Sequence, residues 1–174
     1  MSDVTETDLR SARFIPWISV ATLVVIADQA TKWAIVEWVR LYDRIPINDF
    51  VNLTHQRNTG AAWSFLADAG GWQRWFFVTL STVVSCVIAV WLWRIRHTGP
   101  AILAAGLSLV LGGALGNLID RARLGYVTDF IQVYLGEWLG YFPSFNVADA
   151  AITVGAALLI IDALFYSGRA QETT

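Results

Sequence analysis

The sequence predicts an all-α membrane protein, with four transmembrane helices and a small extracytoplasmic β-sheet/loop subdomain, in a single domain over residues 1–174. Three observations predict it. The chain is 56% hydrophobic and 15% charged, where soluble domains carry about 25% charged residues. Four apolar stretches are long enough to cross a hydrocarbon core of about 30 Å, which takes roughly 20 helical residues. Two longer connections are rich in β-branched and aromatic residues, as short strands on a membrane surface would be.

The first span covers about 14–39 and carries Asp28 and Lys32. Arg10, Arg13 and the small-residue stretch "ADQA" at 27–30 also suit a removable signal peptide. The apolar pattern resumes past Lys32 through Trp33, Ala34, Ile35 and Val36, which favours a retained span. The second span, about 72–93, has Trp72 and Trp75 at one end and Trp91 and Trp93 at the other. Their rings are then roughly 24–27 Å apart, the separation of two interfacial belts. The third span is about 100–119, where Gly112 and Gly116 form a GxxxG pair read as helix packing. The fourth is about 147–166.

Four spans put both termini on one side. The short link "RIRHTG" at 94–99 makes spans two and three antiparallel neighbours. The long connections, about 40–71 and 121–146, lie on the opposite side. Arginines are divided between the two sides, but the dense Arg94/Arg96 pair favours termini in the cytoplasm. In the first connection Ile45, Ile47, Phe50, Val51 and Leu53 suit a strand or two; the second, "YVTDFIQVYLGEWLGYFPSF", reads as an amphipathic surface segment, strand or interfacial helix.

Composition removes several function classes. The net charge of −2 gives no basic field for nucleic acid. A single cysteine, Cys86, leaves no internal disulfide and no Cys-based zinc site. His55 and His97 fall in connections on opposite sides and cannot share a metal, and no HExxH is present. No Ser–His dyad is available either, and nothing favours a Ser–Lys pair.

Topology gathers the intramembrane polar residues at one face. Asp28 and Lys32 lie in the distal half of span one; Asn117, Asp120 and Arg121 end span three; Asn146 and Asp149 begin span four. Charges within spans are costly and mark function. Each also has a plainer reading. Asp28 and Lys32 could be an i,i+4 ion pair, Asp120 and Arg121 an interface-level helix end, and Asn146 with Asp149 an N-cap and its acidic third residue. Asp162 lies apart, toward the terminal face. The chemistry left open is that of carboxylates sharing a site. One holds a proton while the other acts as base and activates water, without metal or covalent intermediate. The GxGD signature of presenilin-type proteases is absent.

The blocks "DQATKW" at 28–33, "RNTGAAWSF" at 57–65, "GGALGNLIDR" at 112–121, "VTDF" at 127–130 and "FNVADAAI" at 145–152 resemble, in order and spacing, those of bacterial lipoprotein signal peptidase, signal peptidase II. The resemblance spans nearly the whole chain and no motif position departs from it. It implies a metal-independent aspartic endopeptidase of the bacterial cytoplasmic membrane, with no cofactor, cytoplasmic termini and an outward-facing dyad. Its substrates would be prolipoproteins, cut before the diacylglyceryl-modified cysteine, and its other partner membrane lipid; a monomer is expected. The catalytic acids fall on Asp129 and Asp149, and the supporting residues on Asp28, Lys32, Asn58, Asn117, Asp120, Arg121 and Asn146. On that analogy Arg121 and Asn58 hold the substrate backbone, Asn117 and Asn146 hydrogen-bond the aspartates, and Asp120 fixes Arg121 or the helix end. A small extracytoplasmic sheet would lie at 44–56. Asp149, in the first turn of span four where the helix dipole favours a carboxylate, is expected as base and Asp129 as its protonated partner. A proton-coupled small membrane transporter and a non-catalytic lipid-binding scaffold are the alternatives.

Overall fold

The computed structural model describes residues 6–60, 71–96 and 99–165, with side chains from residue 15 onward. The "AAWSF" end of the second motif block, His97 and the far end of the first connection therefore lie outside the described residues. Among the described residues four helices are long and apolar enough to cross a membrane. They are α1 (Glu6–Trp38), α2 (Trp72–Ile95), α3 (Ala101–Leu124) and α4 (Val147–Phe165). Helix α1 begins before the expected Phe14, and its membrane-crossing part is Ile15–Trp38.

Three short strands, β1 (Arg44–Pro46), β2 (Val51–Asn58) and β3 (Val127–Val133), form an antiparallel sheet in that order. The sheet expected at 44–56 thus gains its third strand from the second connection, which is a strand there rather than an interfacial helix. Asn48 closes the β1–β2 turn: its Oδ1 accepts hydrogen bonds from Phe50 N at 2.9 Å and Val51 N at 2.8 Å, the side-chain-built turn for which Asn is suited. The β2–β3 register shifts between Leu53 and Gln56, so that Gln56 pairs with Asp129. Such irregularities re-aim side chains.

Helix α3 is the hub and packs on α1, α2 and α4. Gly112 lets α1 come close, since a Cβ there would lie 2.7 Å from Ala21 O and from Val24 Cβ. Near the terminal face Ala21, Ile88, Leu92, Ala104, Leu107 and Leu111 form the buried apolar cluster. At the other face Ile35, Val39 and Phe130, with Leu53, Ile131 and Val147 against them, seat the sheet on the ends of α1 and α4. Leu23, Ile26, Val83, Val87, Val90, Ile160 and Leu164 point outward, where lipid rather than water suits them. Trp72, Trp75, Trp91 and Trp93 are exposed at the two ends of α2, as belt residues should be.

A second boundary also differs from the sequence expectation. Helix α3 does not stop near 119 but carries Asp120, Arg121 and Arg123 through another turn to Leu124. Two features sustain that turn. Arg74 of α2 donates from Nε to Arg121 O at 3.0 Å and from Nη2 to Ala122 O at 2.8 Å, satisfying carbonyls left open at a helix C-terminus. Gly125 then ends the helix at φ 84°, a left-handed conformation suited to glycine, with its N–H on Arg121 O at 3.2 Å.

Candidate active site

The first turn of α4 is built by a reciprocal cap. Asp149 N donates to Asn146 Oδ1 at 2.9 Å, and Asn146 N donates to Asp149 Oδ2 at 3.3 Å. The plain capping reading of "NVAD" is therefore right, and it does not compete with a role in a site. Capping uses the Asn146 oxygen and leaves its Nδ2 to donate outward. That nitrogen reaches Asp129 Oδ1 at 2.7 Å, with Asn117 Oδ1 at 3.3 Å and Thr128 O at 3.4 Å beside it. Asn146 thus touches both aspartates from a fully buried position.

Each remaining carboxylate oxygen also has an amide donor. Asn58 Nδ2 reaches Asp129 Oδ2 at 3.1 Å, and Asn117 Nδ2 reaches Asp149 Oδ1 at 2.8 Å. Asp129 and Asp149, from β3 and α4, line one cavity of about 950 Å³ together with Asn58, Arg121, Gln132 and Phe145. Burial first, and then the neighbouring charge of Asp149, push the Asp129 carboxyl up to about 7, against the Asn58 and Asn146 amides and the charge of Lys32. Near neutrality such a pair shares one proton, the state in which one acid can donate while the other accepts.

Beneath the pair sits Lys32, nearly fully buried. Its ammonium contacts Asp28 Oδ2 at 2.8 Å and Asp120 Oδ2 at 3.0 Å, and donates to Asn117 Oδ1 at 2.9 Å. An ammonium only donates. The Asn117 oxygen must therefore face Lys32, which leaves its NH₂ facing Asp149. The i,i+4 pair inferred for Asp28 and Lys32 exists, but as two members of a network that crosses from α1 to α3.

Asp28 links that network to α4, because its Oδ1 accepts the N–H of Ala148 at 2.9 Å, one of the N–H groups a helix start leaves open. Gly116 makes room for it: a Cβ there would stand 2.6 Å from Asp28 Oδ2. Packing alone, the reading given to Gly116 from the GxxxG pattern, is too narrow for this position. Asp120 also differs from expectation. Its hydrogen bonds go to Thr128 N at 3.1 Å and Gln29 Nε2 at 2.9 Å rather than to Arg121, so it fixes β3 one residue before Asp129. Arg121 donates from Nη2 to Gly60 O at 3.0 Å and lies 5.1 Å from the Phe77 ring centre. Asp162 is buried near the far end of α4, away from these groups.

Sequence reasoning missed Gln29. Its Nε2 lies 3.2 Å from Asp28 Oδ2, 3.2 Å from Gly116 O and 2.9 Å from Asp120 Oδ1, spanning both carboxylates that hold Lys32. It stands inside "DQATKW", but one residue along a helix turns about 100° from the Asp28–Lys32 face. Only the approach of α3 shows that a long amide there reaches the network. The capping of α3 by Arg74 had no local signal either.

A family model described as Signal peptidase (SPase) II matches residues 20–165. Lipoprotein signal peptidase of Cupriavidus taiwanensis is 51% identical over 85% of this chain and 82% of its own length. The protein of the same name from Ectopseudomonas mendocina is 48% identical over 93% of this chain and 96% of its own. A solved bacterial membrane enzyme, determined by the in meso method at 2.3 Å resolution, superposes with a TM-score of 0.77 at 32% identity, covering 91% of this chain and 93% of that one.

Proposed function

The chain belongs to the signal peptidase II family, and on that premise we propose that it is an aspartic endopeptidase that removes the signal peptide from prolipoproteins, cutting before the diacylglyceryl-modified cysteine. The observation that carries the aspartic reading is Asn146, whose side-chain Nδ2 donates to Asp129 Oδ1 and whose backbone N donates to Asp149 Oδ2, joining two acids that line one cavity. Water placed between the two carboxylates gives up a proton to Asp149 as its oxygen attacks the scissile carbonyl. Asp129, protonated near neutrality, donates to the carbonyl oxygen. Collapse of the tetrahedral intermediate breaks the C–N bond as one of its hydroxyls returns a proton to Asp129, and the proton taken by Asp149 goes to the leaving amine.

Asn117 and Asn146 hold the acids in place, and Arg121 and Asn58 line the cavity where the substrate backbone would lie. No metal is used in this reading. The carboxylate oxygens of Asp28, Asp120, Asp129 and Asp149 are turned toward ammonium and N–H donors, where a metal site would need acceptors turned toward one point. The site faces outward, on the side opposite the termini.

A transporter would need a polar route from Asp149 to Asp162. Between them α3 and α4 close on each other: a Cβ on Gly155 would lie 2.7 Å from Gly106 O and 2.8 Å from Val110 Cγ2.

The test is incubation of purified protein in detergent with a diacylglyceryl-modified prolipoprotein and with its unlipidated precursor. The expected product has the mass of a chain beginning at the modified cysteine, forms only from the lipidated substrate and forms equally with a chelator present. No cleavage, or cleavage restored by added zinc after chelation, would reject the proposal.

A further inference from the structure

A second groove lies on the outer side of α2, toward the terminal face and at the opposite end of the bundle from the aspartates. Among the described residues it is lined by Cys86, Val87, Val90, Trp91, Arg94 and Ile95, and its volume is about 610 Å³. Ligand pockets are of this size, roughly 300–1,000 Å³. Val87, Val90, Trp91 and Arg94 fall at i, i+3, i+4 and i+7, a single stripe of the helix. The three apolar members of that stripe are exposed. From Cys86 to Arg94 the groove runs about 12 Å, eight residues at about 1.5 Å each.

Arg94 closes one end of it, and its charge is not used inside the protein. The other groups at the end of α2 are matched to one another. Arg96 donates from Nη1 to Trp93 O and lies 4.0 Å from the Trp93 ring centre, and Gly99 N donates to Ile95 O at 2.8 Å. Arg94 is exposed and has no hydrogen bond or ion pair among the described residues. Trp91 and Trp93 set the depth of the lipid headgroups at this end, so the free guanidinium stands where phosphates are.

We propose that the groove binds one phospholipid of the leaflet on the terminal side, with an acyl chain along Val90, Val87 and Cys86 and the phosphate on Arg94. Apolar walls on a membrane-crossing helix suit hydrocarbon, and the planar guanidinium fork matches phosphate oxygens in pairs. Basic groups at the cytoplasmic ends of spans hold lipid headgroups in this way. A second copy of the chain is a poorer occupant. Asp162, the described acid nearest that depth, is buried, so another copy brings no carboxylate there to meet Arg94.

The test uses the whole protein in dodecyl maltoside, with its single cysteine as the reporter. The rate at which N-ethylmaleimide alkylates Cys86 is followed as phosphatidylglycerol, or diacylglycerol with the same acyl chains, is titrated in. Both lipids bring hydrocarbon; only the first brings a phosphate. Phosphatidylglycerol should slow alkylation saturably, with a midpoint about five- to tenfold lower than that of diacylglycerol, the worth of one arginine beside a lipid phosphate. In Arg94→Gln the two midpoints should coincide, while in Arg96→Gln their separation should remain. The readout does not depend on cleavage, so it stands or falls apart from the peptidase reading. Equal midpoints in the wild type would make Arg94 an interfacial anchor only. A separation that survives in Arg94→Gln would place the phosphate elsewhere. No slowing by either lipid, or slowing that follows protein concentration rather than lipid, would leave the groove without a lipid or give it to a second copy. Each of these results would overturn the proposal. If Arg94→Gln does not fold, the wild-type comparison of the two lipids decides alone.

Discussion

At the scale of residues the site is an arrangement of amides around two acids, and its behaviour depends on where the shared proton sits. Asp129 is pushed to about 7 by burial and by Asp149. Its protonated form is therefore the one present below neutrality and is lost as pH rises through about 7. With Asp129 as the acid, kcat/KM should fall on the alkaline side with an apparent pKa near that value, a property of the pair rather than of one residue. A rate that stays flat well above neutrality would show that the reaction does not need this proton. Arg121 gives a second residue-scale expectation. Its planar guanidinium donates from Nη2 to Gly60 O at the edge of the cavity that Arg121 lines, a fixed fork that a lysine ammonium cannot reproduce. Arg121→Lys should cut the cleavage rate by ten- to a hundredfold, the equivalent of about 1.5–3 kcal/mol for a charge-assisted contact, with little change in melting temperature. Near-normal turnover would make Arg121 a membrane-interface anchor.

At the scale of elements the close crossing of α3 with α1 and α4 brings the acids to their support. Gly116 tests this, because Gly116→Ala puts a methyl 2.6 Å from Asp28 Oδ2 and must displace the carboxylate that holds both Lys32 and the start of α4. Overpacking of this kind typically costs about 1–3 kcal/mol. Melting temperature and activity should fall together, whereas alanine at an exposed helix position would change neither. The four spans and the strands of the first connection were legible in the sequence because their signals are local: runs of apolar length, belts of Trp, alternation at 45–53. The convergence of Asp28, Lys32, Asn117, Asp120, Asn146 and Asp149 was legible as well, since topology alone puts those helix ends on one face. The partners of Asp120, the reach of Gln29 and the cap supplied by Arg74 were not. Each depends on how far one helix is rotated against another, which hydropathy and spacing do not specify.

At the scale of the molecule an apolar bundle carries a polar cluster at one end, covered by a sheet whose strands come from both long connections. In the proposed orientation that end faces outward. Reporter tags near Thr98 and near Thr174 should then be read in the cytoplasm and a tag near Asp49 outside. An external signal at Thr98 would invert the protein and turn the site inward. The central claim, that Asp129 and Asp149 hydrolyse the peptide together, is tested most directly by following cleavage of a diacylglyceryl-modified prolipoprotein by wild-type, Asp129→Asn and Asp149→Asn proteins, each with its melting curve. Asparagine keeps the shape of the side chain and removes its part in proton transfer. The account predicts folded variants with no detectable turnover; robust cleavage by either one would contradict it.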